Sequence, residues 1–535
     1  MTAVALLLVP IVLVGLGSLT PSGEAWSQLW SGPLPEMLVT TALLLLGVAA
    51  GTLVLGAGLA WLVTAYDFPG VGVFSWAMVL PLAMPAYILG FVFLAVFDFP
   101  GPVQTALRGL FGPDMWFPDV RSIPGAVIVL SLTLYPYVFV LARAALRQQV
   151  PATFETARLL GDGRLRAARR VVLPLIRPAL AAGLAIVMME TLTDFATVQY
   201  FNVDTVSVGV YQVWRGMFNR DVAVELAGLV LVVALVVIGL ERVMRGGLRF
   251  HQRGSARDFE RGRLRGWRSV AASAVCGLVL ASAVGIPVLQ LGVWALDSTV
   301  GVEMGRVLET LSNSLGVAFV TGLACVTVAV LVAGGARLSG SPLALRARHL
   351  TAVGYAVPGP VVAIGVLMMI GAATDLVAGG EVAAVLASLL GLVYAYTVRF
   401  MAVAYGSVDA SLESITPSVV DAAHTLGSGP RAILRRIHLP LARTGAVAGL
   451  VLVMVDVLKE LPIVLLIRPF GFTTAAVWVW ELASESRWES AAVPALLIVA
   501  VALIPVVLYL RRGRTGPTAA YHTYEPGPEA EVQAT

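Results

Sequence analysis

The chain has 535 residues, of which 58% are hydrophobic and 13% are charged. Soluble domains contain roughly a quarter charged residues, so this composition excludes a water-soluble globular protein. Both cysteines, Cys276 and Cys325, lie inside apolar runs, which excludes a disulfide framework. The sequence pI of about 9.2 comes from arginines grouped between the apolar runs, and such grouping gives no reason to expect nucleic-acid binding.

Apolar runs separated by charged or Gly- and Pro-rich stretches predict about twelve transmembrane helices, because each crossing needs about 20 apolar residues. The predicted spans are residues 4–19, 38–65, 71–97, 123–142, 175–198, 222–240, 269–296, 311–334, 351–377, 381–405, 441–467 and 491–510. The first run has no clear cleavage site, which favours a membrane helix over a removed signal peptide. The predicted fold class is therefore an all-α integral membrane protein.

The distribution of arginine predicts the orientation in the membrane. The loops on one side, including the segment from Arg399 to Arg443, hold 28 of the 35 arginines. Short cytoplasmic loops carry the excess of positive residues, so both termini are predicted to be cytoplasmic. Residues 251–268 are predicted to form a basic cytoplasmic linker, and the Pro-, Gly- and Glu-rich segment 513–535 a disordered cytoplasmic tail.

An internal duplication divides the chain into halves at residues 1–250 and 269–512, because the segment 155–174 recurs as 421–440 at an offset of 266. Upstream, the sequence around Tyr135 resembles that around Tyr394 at an offset of 259, which predicts about seven extra residues in the second half. Each half has six predicted crossings, so the halves are expected to be parallel repeats. Proline and glycine are predicted to interrupt the third helix of each half, at Pro85, Gly90, Pro358, Gly359, Pro360 and Gly365.

Each repeated segment predicts a small cytoplasmic knob, made of a short helix, a glycine turn, a basic helix and a proline at the start of the next membrane helix. Gly161 and Gly427 permit the positive φ that such a fold-back needs. Pro174 and Pro440 suit the first turn of a helix. A plainer alternative is a basic amphipathic hairpin that rests on anionic lipid headgroups.

The two segments resemble the coupling motif of ATP-binding-cassette importer permeases, Glu-Ala-Ala-x3-Gly-x9-Ile-x-Leu-Pro, with mild departures at Thr156, Val171 and Asp421. The resemblance implies a type I importer permease fold, with both halves fused in one chain of a bacterial inner membrane. It also implies two copies of a cytoplasmic ATPase subunit and a periplasmic solute-binding protein as partners. It assigns ATPase coupling to Glu155, Ala157, Gly161, Leu173, Pro174, Asp421, Ala422, Ala423, Gly427, Leu439 and Pro440.

The chain itself is not expected to be an enzyme or to hold a cofactor. Its only lysine, Lys459, follows Leu458, so the sequence contains no G-x-x-x-x-G-K-[ST] phosphate-binding loop. ATP would therefore be used by the partner subunit. A secondary transporter or channel would explain the crossings but would leave the two motifs without a purpose.

The helices that follow the motifs narrow the choice of substrate. The segments 190–201 and 456–469 resemble those of ferric-iron uptake permeases. This resemblance implies ferric iron as the translocated substrate, delivered by a ferric-binding protein. Fused thiamine permeases, which are similar in length and topology, are the nearest alternative.

Five charged residues inside predicted membrane helices are candidates for the translocation pathway: Glu190, Asp194, Asp456, Lys459 and Glu460. The i, i+4 spacing is expected to place Glu190 and Asp194 on one helix face, and likewise Asp456 and Glu460. Ionisable residues within a membrane normally face a cavity or a partner. Carboxylate oxygens suit the hard ferric ion, for which we expect transient contact and no resident metal site. The structural alternative is that Lys459 neutralises an acid of its own half, whereas the first half offers no such local cation.

Overall fold

The computed structural model describes residues 2–20, 22–149, 151–217, 219–245, 261–297, 303–339, 354, 356–376, 381–413 and 417–513. Residues 251–260 of the predicted linker and residues 514–535 of the predicted tail lie outside this description.

The first half is built almost entirely from helices. They are α1 (Thr2–Gly17), α2 (Glu24–Ser31), α3 (Leu34–Ala65), α4 (Val71–Ala77), α5 (Ala86–Phe97), α6 (Pro102–Phe111), α7 (Ile123–Gln149), α8 (Pro151–Leu159), α9 (Arg164–Ala167), α10 (Leu173–Thr193), α11 (Ala196–Tyr200), α12 (Val206–Gln212) and α13 (Arg220–Arg245). A 3-10 helix covers Leu80–Ala83, and π-helical turns cover Ala168–Val172 and Val213–Met217.

The second half repeats much of this order. Its helices are α14 (Trp267–Leu280), α15 (Ile286–Asp297), α16 (Met304–Ser339), α17 (Gly359–Leu376), α18 (Glu381–Glu413), α19 (Pro417–Thr425), α20 (Pro430–Ile433), α21 (Leu439–Lys459), α22 (Pro462–Ile467), α23 (Ala475–Ser484) and α24 (Trp488–Gly513). Its π-helical turns cover Ala281–Gly285 and Leu434–His438.

Among the described residues, nine helical runs are long and apolar enough to cross a membrane. Shorter apolar helices, Ala5–Gly17, Gly359–Ala372 and Trp488–Ile504, lie in three further predicted spans. A helical membrane protein is therefore confirmed, and the count of twelve crossings stays a prediction. The fold also has one short parallel strand pair, β1 (Tyr66–Asp67) with β2 (Gly262–Arg263), which attaches the end of the linker segment to the first half.

Three predicted membrane spans are divided into shorter helices. The span 71–97 divides into α4, the 3-10 helix and α5, and the break falls at Pro85 as the sequence predicts. Gly90 and Gly365 do not break their helices, because they are close-packing positions inside α5 and α17. A Cβ atom at Gly90 would lie 3.0 Å from Cγ2 of Thr197, and one at Gly365 would collide with the carbonyl of Pro10.

The spans 175–198 and 441–467 are the other two that are divided. The prediction that each forms one continuous helix is wrong. Helix α10 ends at Thr193 and α21 ends at Lys459, because the next residue in each case takes an extended conformation. A short helix follows each break, α11 in the first half and α22 in the second. The breaks lie at equivalent positions, since α10 and α21 are both 21 residues long and are offset by 266 residues.

The first membrane span of each half, which is α1 in the first half and α14 with α15 in the second, packs against the opposite half. Helix α1 lies against α17 of the second half and α13 of its own, whereas α15 lies against α5 of the first half and α24 of its own. This exchange, together with the joint cavity described below, makes the two repeats one helical body.

The offset of 259 predicted between α7 and α18 is wrong, and the offset of 266 extends through both helices. A Cβ atom at Gly183 would lie 3.0 Å from Cα of Val138, and one at Gly449 would lie 3.3 Å from Cα of Ala404. Both pairs of positions differ by 266 residues. An error of seven residues keeps the same helix face because it is about two helical turns, which explains why the shifted match looked plausible.

Candidate coupling and translocation sites

The two repeated segments form knobs with the same backbone hydrogen bonds. In the first, the N–H of Asp162 donates to the carbonyl of Ala157 at 3.1 Å, and in the second the N–H of Ser428 donates to the carbonyl of Ala423 at 2.9 Å. These bonds close a Schellman-type end on α8 and α19. Gly161 and Gly427 take the predicted positive φ, at 94° and 79°. The chain can therefore turn back after each short helix without steric strain.

Large apolar side chains project from both knobs and escaped the sequence analysis. Leu160 is 83% exposed and Leu426 is 85% exposed, at positions 266 residues apart and directly before the two glycines. Leu159 of the first knob is exposed as well. Exposed leucines at matching positions are typical of a surface that a protein partner covers.

The proline of each motif lies inside a continuous helical stretch, which differs from the predicted start of a separate membrane helix. Pro174 is the second residue of α10 and Pro440 is the second residue of α21, and a π-helical turn precedes each directly. A π turn widens the helix and relieves the clash that a proline ring makes with a regular preceding turn. Leu173 and Leu439, at the start of these helices, are about half exposed. Glu155, Asp421 and Ala422 are at least partly exposed on the knobs.

The five predicted pathway residues line one cavity, of about 120 Å³, between the two halves. It lies at the ends of α10 and α21 that are farthest from the knobs. Its walls come from α5, α7 and α10 of the first half and from α18 and α21 of the second. The lining comprises Leu82, Met84, Pro85, Ala86, Tyr87, Leu130, Thr133, Leu134, Tyr137, Glu190, Thr193, Asp194, Ala196, Arg399, Phe400, Asp456, Lys459, Glu460, Leu461 and Pro462.

Asp194 and Glu460 directly follow the ends of their helices, and each lines the same cavity as the acid four residues before it, as the i, i+4 spacing predicts. Asp194 lies beyond the end of α10, and its Oδ1 accepts a hydrogen bond of 2.8 Å from the backbone N–H of Thr197. Glu460 lies beyond the end of α21, and its Oε1 accepts one of 3.0 Å from the N–H of Ile463. Each carboxylate thus satisfies a free N–H group at the start of the following short helix, as an N-cap does.

The other two acids have cationic neighbours. Nζ of Lys459 lies 2.9 Å from Oδ1 of Asp456, which confirms the ion pair within the second half. Nη2 of Arg399 lies 3.5 Å from the carboxylate of Glu190, so Glu190 has a cationic neighbour although the first half supplies no local one. The cation comes from the other half.

Arg399 was also misplaced in the predicted cytoplasmic loop. It lies in the middle of α18, is 4% exposed and lines the cavity. Spacing within one repeat does not reveal this contact, which spans 209 residues and joins the two repeats. Its neighbour Thr193, which takes the position of Lys459 in the first half, accepts a 3.3 Å hydrogen bond from it.

No group of three or more His, Cys, Asp or Glu side chains could hold a metal ion among the residues that the structure describes. The four acids are spread over the cavity wall, and each is engaged by a backbone N–H group or a cation. The cavity can therefore contact a cation or an anion briefly, since both charges are present, without a built chelating site.

A match between the sequence and a protein-family model identifies the family. The model of the binding-protein-dependent transport system inner membrane component matches residues 52–245 and 325–513. The chain belongs to this family. The domain occurs twice, once in each repeat, so this protein is a fused two-half permease of an ATP-binding-cassette importer and a transport subunit, not an enzyme.

Individual relatives differ in what they transport. The chain is 24% identical over 481 residues to the Fe(3+)-transport system permease protein FbpB 2 of Haemophilus influenzae, which covers 89% of each chain. It is 26% identical to the sulfate transport system permease protein CysT of Salmonella typhimurium, over 43% of this chain and 84% of the relative. The CysT protein of Escherichia coli is 25% identical over 40% of this chain and 79% of its own length.

Proposed function

We propose that this permease translocates ferric iron, which a periplasmic binding protein delivers and ATP hydrolysis on a separate subunit drives. The observation that carries the proposal is the cavity between the halves, whose wall carries four carboxylates. Oxygen ligands suit a hard cation such as Fe³⁺. The Fe(3+)-transport permease of Haemophilus influenzae, which aligns with both halves, supports the same cargo.

The two knobs are the proposed docking sites for two ATPase subunits, one for each half. Their shared backbone geometry and their exposed leucines support identical contacts with two copies of one protein. The proposed orientation places the knobs, both termini and the linker in the cytoplasm and the cavity toward the periplasm. A binding protein would then release its cargo at the end of the molecule that is opposite to the ATPases.

Sulfate is a second candidate cargo. Arg399 and Lys459 bring two cations to the cavity, and a sulfate transport permease is among the relatives. Guanidinium and ammonium groups bind oxyanions. The same cavity that carries the four carboxylates therefore also offers two groups that could bind sulfate instead of iron.

The experiment measures accumulation of radioactive ferric iron, sulfate and thiamine in cells that express the chain with its cognate ATPase and binding protein. Iron uptake is expected, and it should fall in the double variant Asp194→Asn with Asp456→Asn. Asparagine keeps a side-chain oxygen for the cap at Thr197, so the fold should be retained. The matched control is Asp98→Asn, because Asp98 pairs with Arg121 at 2.8 Å outside the cavity. Uptake of sulfate or thiamine without iron would overturn the proposal.

A further inference from the structure

Arg399 is held loosely for a buried charge. Its distances to both oxygens of Glu190 are 3.5 Å, and its Nη1 lies 3.3 Å from Oγ1 of Thr193 and 3.3 Å from the carbonyl of Val357. Its Nε is buried and has no hydrogen-bond partner within the described part of the chain. A buried cation normally needs a full set of short, charge-assisted hydrogen bonds. This guanidinium lacks them and lines the cavity.

Two carboxylates, one from each half, interact with this single cation. Glu190 belongs to the first half, and Glu460 of the second half also interacts electrostatically with Arg399. Glu460 is 7% exposed, and its Oε1 accepts a hydrogen bond of 3.0 Å from the N–H of Ile463. Arg399 therefore compensates two acids that both line the cavity.

The same arginine links the halves at this point. Its partners Glu190 and Thr193 lie on α10 of the first half, and Val357 precedes α17 of the second. The N–H of Gly359 also donates to Oγ1 of Thr193, at 3.4 Å. At the offset of 266, the position of Arg399 in the first half is Thr133, which lines the same cavity. The link therefore exists in one copy.

We propose that the Arg399 guanidinium is an internal counter-ion that takes the place of the translocated cation while the cavity is empty. A hard cation that enters competes with Arg399 for the carboxylates of Glu190 and Glu460. When the guanidinium leaves them, its contacts with Thr193 and Val357 are also released, so cation entry loosens the link between the halves. The cation is exchanged against the arginine and is not retained. This inference rests on the proposed function in that the cargo is a cation.

The test measures binding of Tb³⁺, a hard trivalent cation, to the full chain in lipid nanodiscs through its tyrosine-sensitised luminescence. Tyr87 and Tyr137 line the cavity and serve as antennas. Arg399→Gln is expected to bind Tb³⁺ about tenfold or more tightly than the parent chain, because it removes a unit charge next to the carboxylates. Arg399→Lys keeps the charge and should bind as weakly as the parent. Glu190→Gln combined with Arg399→Gln should abolish most of the gain.

A matched control separates the cavity from acids elsewhere. Arg121→Gln frees Asp98, a single carboxylate outside the cavity, and should leave Tb³⁺ affinity unchanged. Thermal unfolding and gel filtration verify that each variant is folded. If Arg399→Gln is unfolded, the inference is tested by comparing Glu190→Gln with the parent chain. A folded Glu190→Gln chain should bind Tb³⁺ more weakly than the parent does.

Two results would overturn the inference: equal Tb³⁺ affinity in Arg399→Gln and the parent, or, in the fallback comparison, equal affinity in Glu190→Gln and the parent. These results are distinguishable from a failure of the iron proposal. Cells that accumulate no iron, with a permease whose Tb³⁺ affinity rises in Arg399→Gln, would reject iron as cargo and retain the cation-exchange site. Iron uptake combined with unchanged Tb³⁺ affinity in Arg399→Gln would retain iron as cargo and reject the cation-exchange site. Loss of sulfate uptake in Arg399→Gln, with no gain in Tb³⁺ affinity, would identify Arg399 as an anion-binding group instead.

Discussion

Replacing the exposed leucines of the two knobs tests the proposed ATPase docking directly. Leu160 and Leu426 are 83% and 85% exposed, and burying a leucine side chain in a partner contributes about 2 kcal/mol. Each serine substitution should therefore weaken ATPase binding by about thirtyfold, since 1.4 kcal/mol corresponds to a factor of ten. Because each knob is proposed to dock its own ATPase subunit, a single variant should weaken one of the two sites, and the double variant should weaken both sites by about thirtyfold each.

The assay measures the Kd between the purified ATPase and the permease in nanodiscs by biolayer interferometry. The control is Leu110→Ser, because Leu110 is 77% exposed on α6, outside both motifs. All of these variants should keep the thermal unfolding temperature of the parent, since the substituted side chains are largely exposed in the isolated chain. A double variant that binds the ATPase with the parental Kd would refute the assignment of these leucines to the interface.

Three further predictions concern the turns, the helix exchange and the orientation. Gly161→Val with Gly427→Val places a β-branched residue at positive φ, at a cost of about 1–2 kcal/mol for each turn, so substrate uptake should stop although gel filtration still shows an assembled chain. Gly365→Leu should lower the thermal unfolding temperature, because the new side chain collides with the backbone of α1; an unchanged unfolding temperature would contradict this close packing. A cysteine replacing Asp114 should react with an impermeant maleimide in intact cells, whereas one replacing Arg265 should react only after lysis; labelling of both from outside would reject the predicted topology.

The parts of the fold that local chemistry determines could be predicted from the sequence. Glycine at positions 161 and 427 permits the positive φ with which a short helix turns back, and Pro85 disfavours an uninterrupted helix at its position. Long apolar segments must form helices in a bilayer because their backbone polar groups find no water there. These features depend on neighbours in sequence, so the repeated motif and most spans were predictable.

The parts that depend on contacts between the halves could not be predicted. Helices α10 and α21 end before Asp194 and Glu460, whose carboxylates accept hydrogen bonds from the short helices that follow, and the i, i+4 spacing contains no sign of these breaks. The pairing of Arg399 with Glu190 requires α18 of one repeat to face α10 of the other. Sequence spacing within a repeat carries no information about such a contact, and the arginine was therefore assigned to a loop.

The duplication has kept one end of the molecule symmetric and not the other. The knobs share turn geometry, hydrogen bonds and an exposed leucine, as two copies of one partner would require. In the cavity, the second half supplies both cations, Arg399 and Lys459, where the first half has Thr133 and Thr193. The proposed cation would cross between the halves as a single substrate, so its site would need only one copy of each contact. The first half has no equivalent of the ion pair between Arg399 and Glu190. Breaking this one pair can therefore change the contact between the halves in the cavity without a matching change at the equivalent position.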